Sequence, residues 1–321
     1  MRFRFKYLLA AASIVVSTGA LAQAYPSKPI RFVIGFPAGS SIDNVSRVVL
    51  DNIRERTGAT IVIENRPGAL GALGVEAVTK APSDGYTMMP SSSATNSSGP
   101  HLARALQKLD VVRGLTHLGR VVRFDIAIVT SASQNFKTAK ALIDEAKAKP
   151  DVLTYGYGSG TGQLASAAFG HAAGVQVRGI PYKGQPQAIA DLMGGQVNFV
   201  GSDLGAVLAL VRARSLVAIA VASEKRSTIL PDVPTTAEVG LRGMTLVGWI
   251  GISGPSKLPA DVVKWWGDQL KLSLAANDVL EKLRNQGMEP DVLVGEPFVQ
   301  FVAAEFEQWG KHVTNAGIKP E

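Results

Sequence analysis

An apolar β-type run, Ile30-Arg-Phe-Val-Ile34, ends at Gly35, crosses a short Gly/Ser loop, and opens into a helical pattern carried by Val45, Val48, Val49 and Ile53. Strand, loop and helix start together bring free backbone N–H groups and the positive end of a helix dipole to one spot. Such a spot is an anion cradle. The same succession recurs further on, where Val152-Leu-Thr-Tyr-Gly156 leads through Tyr157-Gly-Ser-Gly-Thr-Gly-Gln163 into a helical pattern over Leu164–Ala173. A single loop of this kind is a common turn between strand and helix. Two of them, one in each half of a chain, predict a ligand gripped across a cleft.

Neither loop fits a nucleotide fingerprint. No P-loop lysine follows the first. In the second, the glycine after Gly158 and Gly160 falls at 162, one place early, and position 163 is Gln. A serine-hydrolase elbow also fails, because Ser159 lies between Gly158 and Gly160 and Ser253 precedes Gly254-Pro255. His101, His117, His171 and His312 have no metal-ligand spacing and read as surface or packing residues. No metal and no cofactor is expected.

Short β-rich runs alternate with helical patterns almost to the end. Strands are predicted at Ile30–Gly35, Thr60–Glu64, Tyr86–Met89, Thr116–Arg120, Asp125–Thr130, Val152–Gly156, Val197–Gly201, Leu216–Ala222 and Leu246–Ile252. Helices are predicted near 42–56, 70–80, 138–149, 161–173, 184–193, 204–213, 259–275, 277–286 and 296–316. This is the pattern of an α/β protein with mostly parallel sheets flanked by helices. Thr138 caps its helix and Pro150 stops it; Gly287 follows another, and Pro297 suits a first turn. Val121–Asp125 and Ala222–Arg226 read as crossovers, which divides the chain into one lobe of 25–124 plus 226–321 and a second of 125–225.

Residues 1–22 have a basic start (Arg2, Arg4, Lys6), an apolar stretch of small residues and A-x-A patterns ending at Ala22 and Ala24. They read as an export signal, cleaved after Ala22 or Ala24, which places the rest of the chain outside the cytoplasm. No other run is long enough for a membrane span. The formal charge of +7 then falls to about +4, spread without an aromatic-interleaved basic stripe, so nucleic acid is not an expected partner. The chain has no cysteine, and the remaining 300 or so residues can fold without disulfides.

Other loops place polar residues at strand ends. Pro90–Ser98 is rich in hydroxyls and reads either as a solvated loop or as a ligand contact through Ser91, Ser92 and Ser93. Arg66 reads as tying down a turn. Tyr182 and Lys183 end a short strand and can face the cleft, and Asp203 has a plain reading as a helix N-cap. Trp249, Trp265, Trp266 and Trp309 read as packing.

An ordered set of short motifs spans the chain beyond the leader: Tyr25-Pro-Ser-Lys-Pro-Ile30, Gly35-Phe-Pro-Ala-Gly39 with Asp43, Glu64-Asn-Arg-Pro-Gly-Ala69, Ser83-Asp-Gly-Tyr86, Pro181-Tyr-Lys-Gly184, Leu192-Met-Gly-Gly-Gln196, Leu230-Pro-Asp-Val-Pro-Thr235 and Ala316-Gly-Ile-Lys-Pro-Glu321. Together they resemble the extracytoplasmic solute-binding receptors of tripartite tricarboxylate transporters, the Bug-type receptors. The resemblance implies two α/β lobes of the periplasmic binding-protein kind, a ligand cleft between them and no catalysis. It implies a carboxylated ligand, held largely by backbone groups, and delivery to integral-membrane subunits of the transporter. Carried over position by position, it marks Phe36, Gly39, Ser40, Ser41, Asp43 and Asn44 in the first loop. In the second it marks Tyr157, Gly158, Ser159, Gly160, Thr161, Gly162 and Gln163, with Ser91, Ser92, Ser93, Tyr182 and Asp203 flanking. Two positions depart from the family pattern: Gly39-Ser-Ser-Ile42 replaces a glycine run, and Gly162-Gln163 replaces a histidine-containing pair.

A dicarboxylate, one carboxylate per cradle, is the expected ligand, with an aromatic diacid such as terephthalate as one form. The protein is expected to be a monomer. A ligand-sensing partner of a signalling protein could share this whole sequence. An exported hydrolase would need a nucleophile and base that no motif supplies.

Overall fold

The computed structural model describes residues 25–150 and 152–320. The expected export signal and its cleavage positions lie outside the described residues. In chain order the elements are β1 (Ile30–Ile34), α1 (Ser41–Thr57), β2 (Ile61–Asn65), α2 (Ala72–Thr79), β3 (Thr87–Ser92), a π-helical turn (Ser93–Ser98), α3 (Gly99–Leu102), α4 (Arg104–Gln107) and β4 (Leu115–Ser131). They continue with α5 (Ala139–Ala148), β5 (Thr154–Tyr157), α6 (Gly160–Ala173), β6 (Arg178–Pro181), α7 (Gln185–Met193), β7 (Phe199–Asp203), α8 (Leu204–Arg212) and β8 (Leu216–Val221). The last are β9 (Val247–Pro255), α9 (Ala260–Ser273), α10 (Asn277–Asn285), β10 (Glu289–Val294) and α11 (Glu296–Asn315).

The sheet runs β2-β1-β3-β9-β4-β7-β5-β6, with β8 and β10 also paired to β4. Its outer parts are parallel: β1 with β2 and β3, and β5 with β6 and β7. The pairings of β4 with β7, β8, β9 and β10, and of β3 with β9, are antiparallel. The expected parallel character therefore holds at the two cradles and gives way to antiparallel pairing in between.

The two strands expected at Thr116–Arg120 and Asp125–Thr130 are one. Val121–Asp125, expected as a crossover, lies inside β4 and keeps pairing with β9 as far as Asp125 opposite Val247. From Ile126 onward β4 pairs instead with β7 and β8. The apolar run through Val121, Val122 and Phe124 suits continuous strand because it is buried throughout. Beyond β8 the chain returns along the same strand, with Ala222 N–H donating to Ile126 O at 2.7 Å.

Local sequence explains the elements that carry the cradles. β1 is buried at four of five positions, as a strand flanked on both edges must be. In α1, Val45, Val49, Leu50 and Ile53 recur at helical spacing and are buried. Gly58 ends that helix in the left-handed conformation, with φ of 71°, and its N–H caps Arg54 O. Thr138 caps α5 by accepting from Ala141 N–H at 3.1 Å. α2 crosses the end of β1 so closely that a Cβ on Gly74 would lie 2.5 Å from Gly35 Cα, so both positions need glycine.

Trp249 packs edge-on against Phe298 at 5.6 Å beneath α11, and Trp266 is wholly buried. Each such side chain contributes about 1.5–3 kcal/mol by leaving water. His117 is also core. Its Nε2–H donates to Val112 O at 3.0 Å, so Nδ1 accepts from Ser253 Oγ at 2.9 Å. Burial drives its pKa down to about 4.

That depressed value has a sign. Between pH 6.5 and about 4 the unfolded chain binds a proton that the native chain refuses, so stability falls as pH falls through this window. The whole window is worth about 3 kcal/mol. Urea unfolding at neutral pH and near pH 4 should show the native chain losing about 2–3 kcal/mol more than His117→Asn, which cannot titrate. Equal losses would show that His117 does not govern the acid limb.

Candidate functional site

The C-terminal ends of β1 and β5 face each other, and the loops that follow them meet around one cavity. Its wall consists of Phe36, Ser40, Ser41, Ile42, Ser92, Ser93, Ala94, Phe124, Ser159, Thr161, Gln185, Asp203 and Ile250. The structure thus brings together eight residues singled out from sequence: Phe36, Ser40, Ser41, Ser92, Ser93, Ser159, Thr161 and Asp203. The free volume is about 40 Å³, room for about three waters. The two walls touch. Ser41 Oγ–H donates to Asp203 Oδ1 across the cavity, and a Cβ on Gly184 would lie 2.5 Å from Pro37 Cγ.

The two helix starts are equipped differently. α6 has a side-chain cap, with Ser159 Oγ accepting from Gly162 N–H at 3.2 Å. α1 has none, because Ser40 Oγ–H turns away to donate to Pro37 O at 2.7 Å. The first-turn residues Ser41 and Ile42 both lie on the cavity wall. An uncapped N-terminus of a 17-residue helix at a cavity wall offers orphan N–H donors and a positive dipole end.

The remaining expected contacts lie off the wall, each for a visible reason. Asp43 is buried, and its carboxylate accepts from Gly39 N–H at 3.0 Å, from Arg47 at 2.9 and 3.0 Å, and from Asn65 Nδ2 at 2.9 Å. Burial alone would raise its pKa, but these donors outweigh burial and hold it below the usual carboxylate range. Its work is to fix the first loop, using the Gly39 N–H that a ligand would otherwise meet. Asn44 Nδ2 reaches only Gly39 O at 3.4 Å. Ser91 sits inside β3 opposite Gly251. Tyr157 is buried against Tyr155, ring centroids 5.9 Å apart. Gly158, Gly160 and Gly162 are close-approach positions: a Cβ there would meet Gly184 C at 2.0 Å, Ser98 Oγ at 2.7 Å and Gly201 O at 2.8 Å respectively. Gln163 is buried within α6, its N–H donating to Ser159 O at 3.0 Å. Tyr182 is turned to Asp191, donating at 2.7 Å, and burial together with that carboxylate pushes its pKa up to about 12.

Pro90–Ser98 is no solvated loop. Ser91, Ser92, Ser93, Thr95, Asn96, Ser97 and Ser98 are all buried, and the π-helical turn supports the cavity floor. Ser92 Oγ accepts from Thr95 N–H at 3.3 Å, Asn96 Nδ2 donates to Val111 O at 3.1 Å, and Ser93 Oγ accepts from Trp249 N–H at 3.3 Å.

Five wall residues were not expected: Ile42, Ala94, Phe124, Gln185 and Ile250. Gln185 is the informative one. Its Oε1 accepts from Gly158 N–H at 3.1 Å and its Nε2 donates to Gly201 O at 2.9 Å, tying the second loop to β7. It directly follows the Pro181-Tyr-Lys-Gly184 motif, which was the one available signal.

No Lys, Arg or His is among the wall residues. Asp203 is the one ionisable group there. It caps α8, accepting from Ala206 N–H at 2.9 Å, and burial pushes its pKa up, with Ser41 and Ala206 pulling it partly back. Among the described residues no group of three or more His, Asp or Glu side chains is placed to hold a metal ion. The buried His117–Ser253 pair is sealed in the core, away from this wall. No helix of the described residues is long and apolar enough to cross a membrane.

Comparison with known proteins gives a consistent picture. The family model described as "Tripartite tricarboxylate transporter family receptor" matches residues 45–318. Protein BugT of Bordetella pertussis is 30% identical over 320 residues, 97% of this chain and 98% of that one. The structure of R. palustris Rpa4515 with adipate superposes with a TM-score of 0.88 at 27% identity, covering 92% of this chain and 100% of that one. The periplasmic binding protein BugD superposes at 0.85 and 29% identity, again over 92% of this chain and 100% of its own.

The contact between Gly184 and Pro37 generates a prediction. Gly184 is extended, with φ of −173°, so alanine suits its backbone but collides with Pro37 across the cavity. Gly184→Ala should hold the walls apart. Amide exchange in 36–42 and 157–161 should quicken by about tenfold or more, with global stability within about 0.5 kcal/mol of the parent. Unchanged exchange would mean that the two walls do not depend on this contact.

Proposed function

The chain belongs to the receptor family of tripartite tricarboxylate transporters, a family of solute-binding receptors with a periplasmic binding-protein fold, and we propose that it captures a dicarboxylate outside the cytoplasm and delivers it to membrane subunits of such a transporter. The observation that carries this reading is the uncapped N-terminus of α1 at a wall without a cationic side chain. One carboxylate is held at the first loop, 36–42, and the other at the second, 157–161. Neither loop needs a basic residue, because orphan helix-end N–H groups and serine hydroxyls supply the donors.

The magnitudes suffice. Micromolar binding needs about −8 kcal/mol. Four to six charge-assisted hydrogen bonds at roughly 1.5–3 kcal/mol each reach that level after the costs of immobilisation. Phe36, Ile42, Phe124 and Ile250 supply an apolar middle for the ligand's spacer. The adipate of the Rpa4515 complex is a diacid with a hydrocarbon spacer, in keeping with that arrangement. A flat ring between Phe36 and Phe124 makes terephthalate a second diacid of the same class. The protein performs no catalysis on this reading, and no histidine stands on the wall to serve as a base. The lobes are proposed as 25–124 plus 226–321 and 125–225, hinged where β4 changes partners at Asp125 and Ile126.

A cavity of about 40 Å³ is too small for such a diacid, so the walls must part to admit it. Small-angle scattering should give a larger radius of gyration before than after addition of a diacid that raises the melting temperature. An equal radius would argue for a preformed cleft.

A thermal-shift panel of succinate, adipate and terephthalate, with their monomethyl esters, tests the two-carboxylate reading. A bound diacid should raise the melting temperature, and its ester should bind at least about tenfold more weakly for the loss of charge-assisted bonds. Equal affinities would reduce the site to one anchored carboxylate.

A further inference from the structure

Asp203 is out of place in a site for anions. It stands on the cavity wall, and no Lys, Arg or His stands there with it. Ser41 Oγ–H and Ala206 N–H, both neutral donors, donate to its Oδ1. The charged side chains on neighbouring elements are engaged elsewhere. On α1, Asp43 is paired with Arg47. On β4, Arg123 is paired with Asp291 of β10, and Asp125 lines a different cavity with Arg284 and Glu289. On α7, Asp191 accepts from Tyr182. On α6, His171 lines a third cavity, and on α8, Arg212 is in the last turn, far from the cap.

Two carboxylates within a few ångströms, in a small space with no cationic side chain on its wall, cannot both stay ionised. A ligand carboxylate brought to this wall therefore needs a proton between itself and Asp203, or a different group must meet Asp203. An ammonium group would need several acceptors. Gln185, the one side-chain amide on the wall, has its oxygen committed to Gly158 N–H and one N–H to Gly201 O. A carboxyl O–H needs only one acceptor.

We propose that the receptor binds its diacid as the singly protonated form, with one proton shared between Asp203 and a ligand carboxyl group. The proton comes from solvent, no covalent bond is made, and the pair carries one negative charge. Asp203 is then a specificity-determining residue. It rejects the fully ionised dianion at high pH and selects ligands that present a hydrogen-bond donor at that end. This inference rests on the dicarboxylate reading above.

Calorimetry tests it with whichever of succinate, adipate and terephthalate raises the melting temperature most. Titrations in buffers of different ionisation enthalpy, from about pH 6 to about pH 9, count the protons taken up on binding. Uptake should approach one proton at the alkaline end, where affinity should fall about tenfold per pH unit. Asp203→Asn keeps a good helix cap, so its fold should survive. It should still bind, with uptake near zero and a flat pH profile. The monoamide of the same diacid offers an N–H donor to ionised Asp203, so the parent protein should bind it without pH dependence. Tight diacid binding with no proton uptake at any pH would overturn the shared proton and leave the receptor reading standing. Failure of every diacid to bind would overturn the receptor reading and this inference with it.

Discussion

The shared strand β4 sets the geometry on which the rest depends. Its first eleven residues pair with β9, and its last six pair with β7 and β8. Each cradle strand is reached outward from it, β1 through β9 and β3, and β5 through β7. The angle at which the two loops face each other is therefore fixed by how one strand twists and shifts register. Irregularities between His117 and Gly119, Arg120 and Val122, and Ile128 and Val129 adjust that register locally. A one-residue slip elsewhere would turn buried Ile126 and Ile128 outward, so pairing and burial enforce the same alignment.

Two polar residues then hold the loops against that frame. Asp43 gathers Gly39 N–H, Arg47 and Asn65 in the first loop. Gln185 bridges Gly158 and Gly201 in the second. Both are buried, and losing Gln185 would strand the buried Gly158 N–H and Gly201 O, a cost of about 1–3 kcal/mol per group. Fixed loops present backbone donors in a set geometry, which is what binding through N–H groups requires.

Much of the fold was legible because periodicity reports burial. The strand and helix starts of both cradles follow from Ile30–Gly35, Val45, Val49 and Ile53, and from Val152–Gly156. What escaped was set by distant partners. The stretch Ser91–Ser98 is polar by composition yet buried: Trp249 N–H and Val111 O, far along the chain, satisfy Ser93 and Asn96, while Ser91 Oγ and Ser97 Oγ are buried without a partner. Asp43 carries the family pattern of the first loop, but only the placement of Asn65 and Arg47 shows that its oxygens are spent on the loop itself. Gln185 gave only its place after the Pro181-Tyr-Lys-Gly184 motif, because its role lies in reaching Gly158 and Gly201, and β10 gave no sign because Glu289-Pro-Asp-Val-Leu-Val294 has no clean alternation and pairs at an irregular register. At Val121–Asp125 the strand does not break, but one strand that changes partners at Asp125 and Ile126 reads in sequence as two strands with a joint.

On the proposed reading, a site without a cation suits a receptor that must give its ligand up. An arginine would add a permanent charge to both the bound and the empty cleft, and a buried unpaired guanidinium would be costly whenever the ligand left. Helix-end N–H groups carry only partial charge and return to water when the walls part. The contact between Ser41 and Asp203 fits the same logic, since it joins the first loop to β7 directly across the cavity. On the proposed reading, ligand binding trades this one bond between the closed walls for several to the ligand. The gap between open and closed states then stays small, and a ligand of modest affinity can shift it.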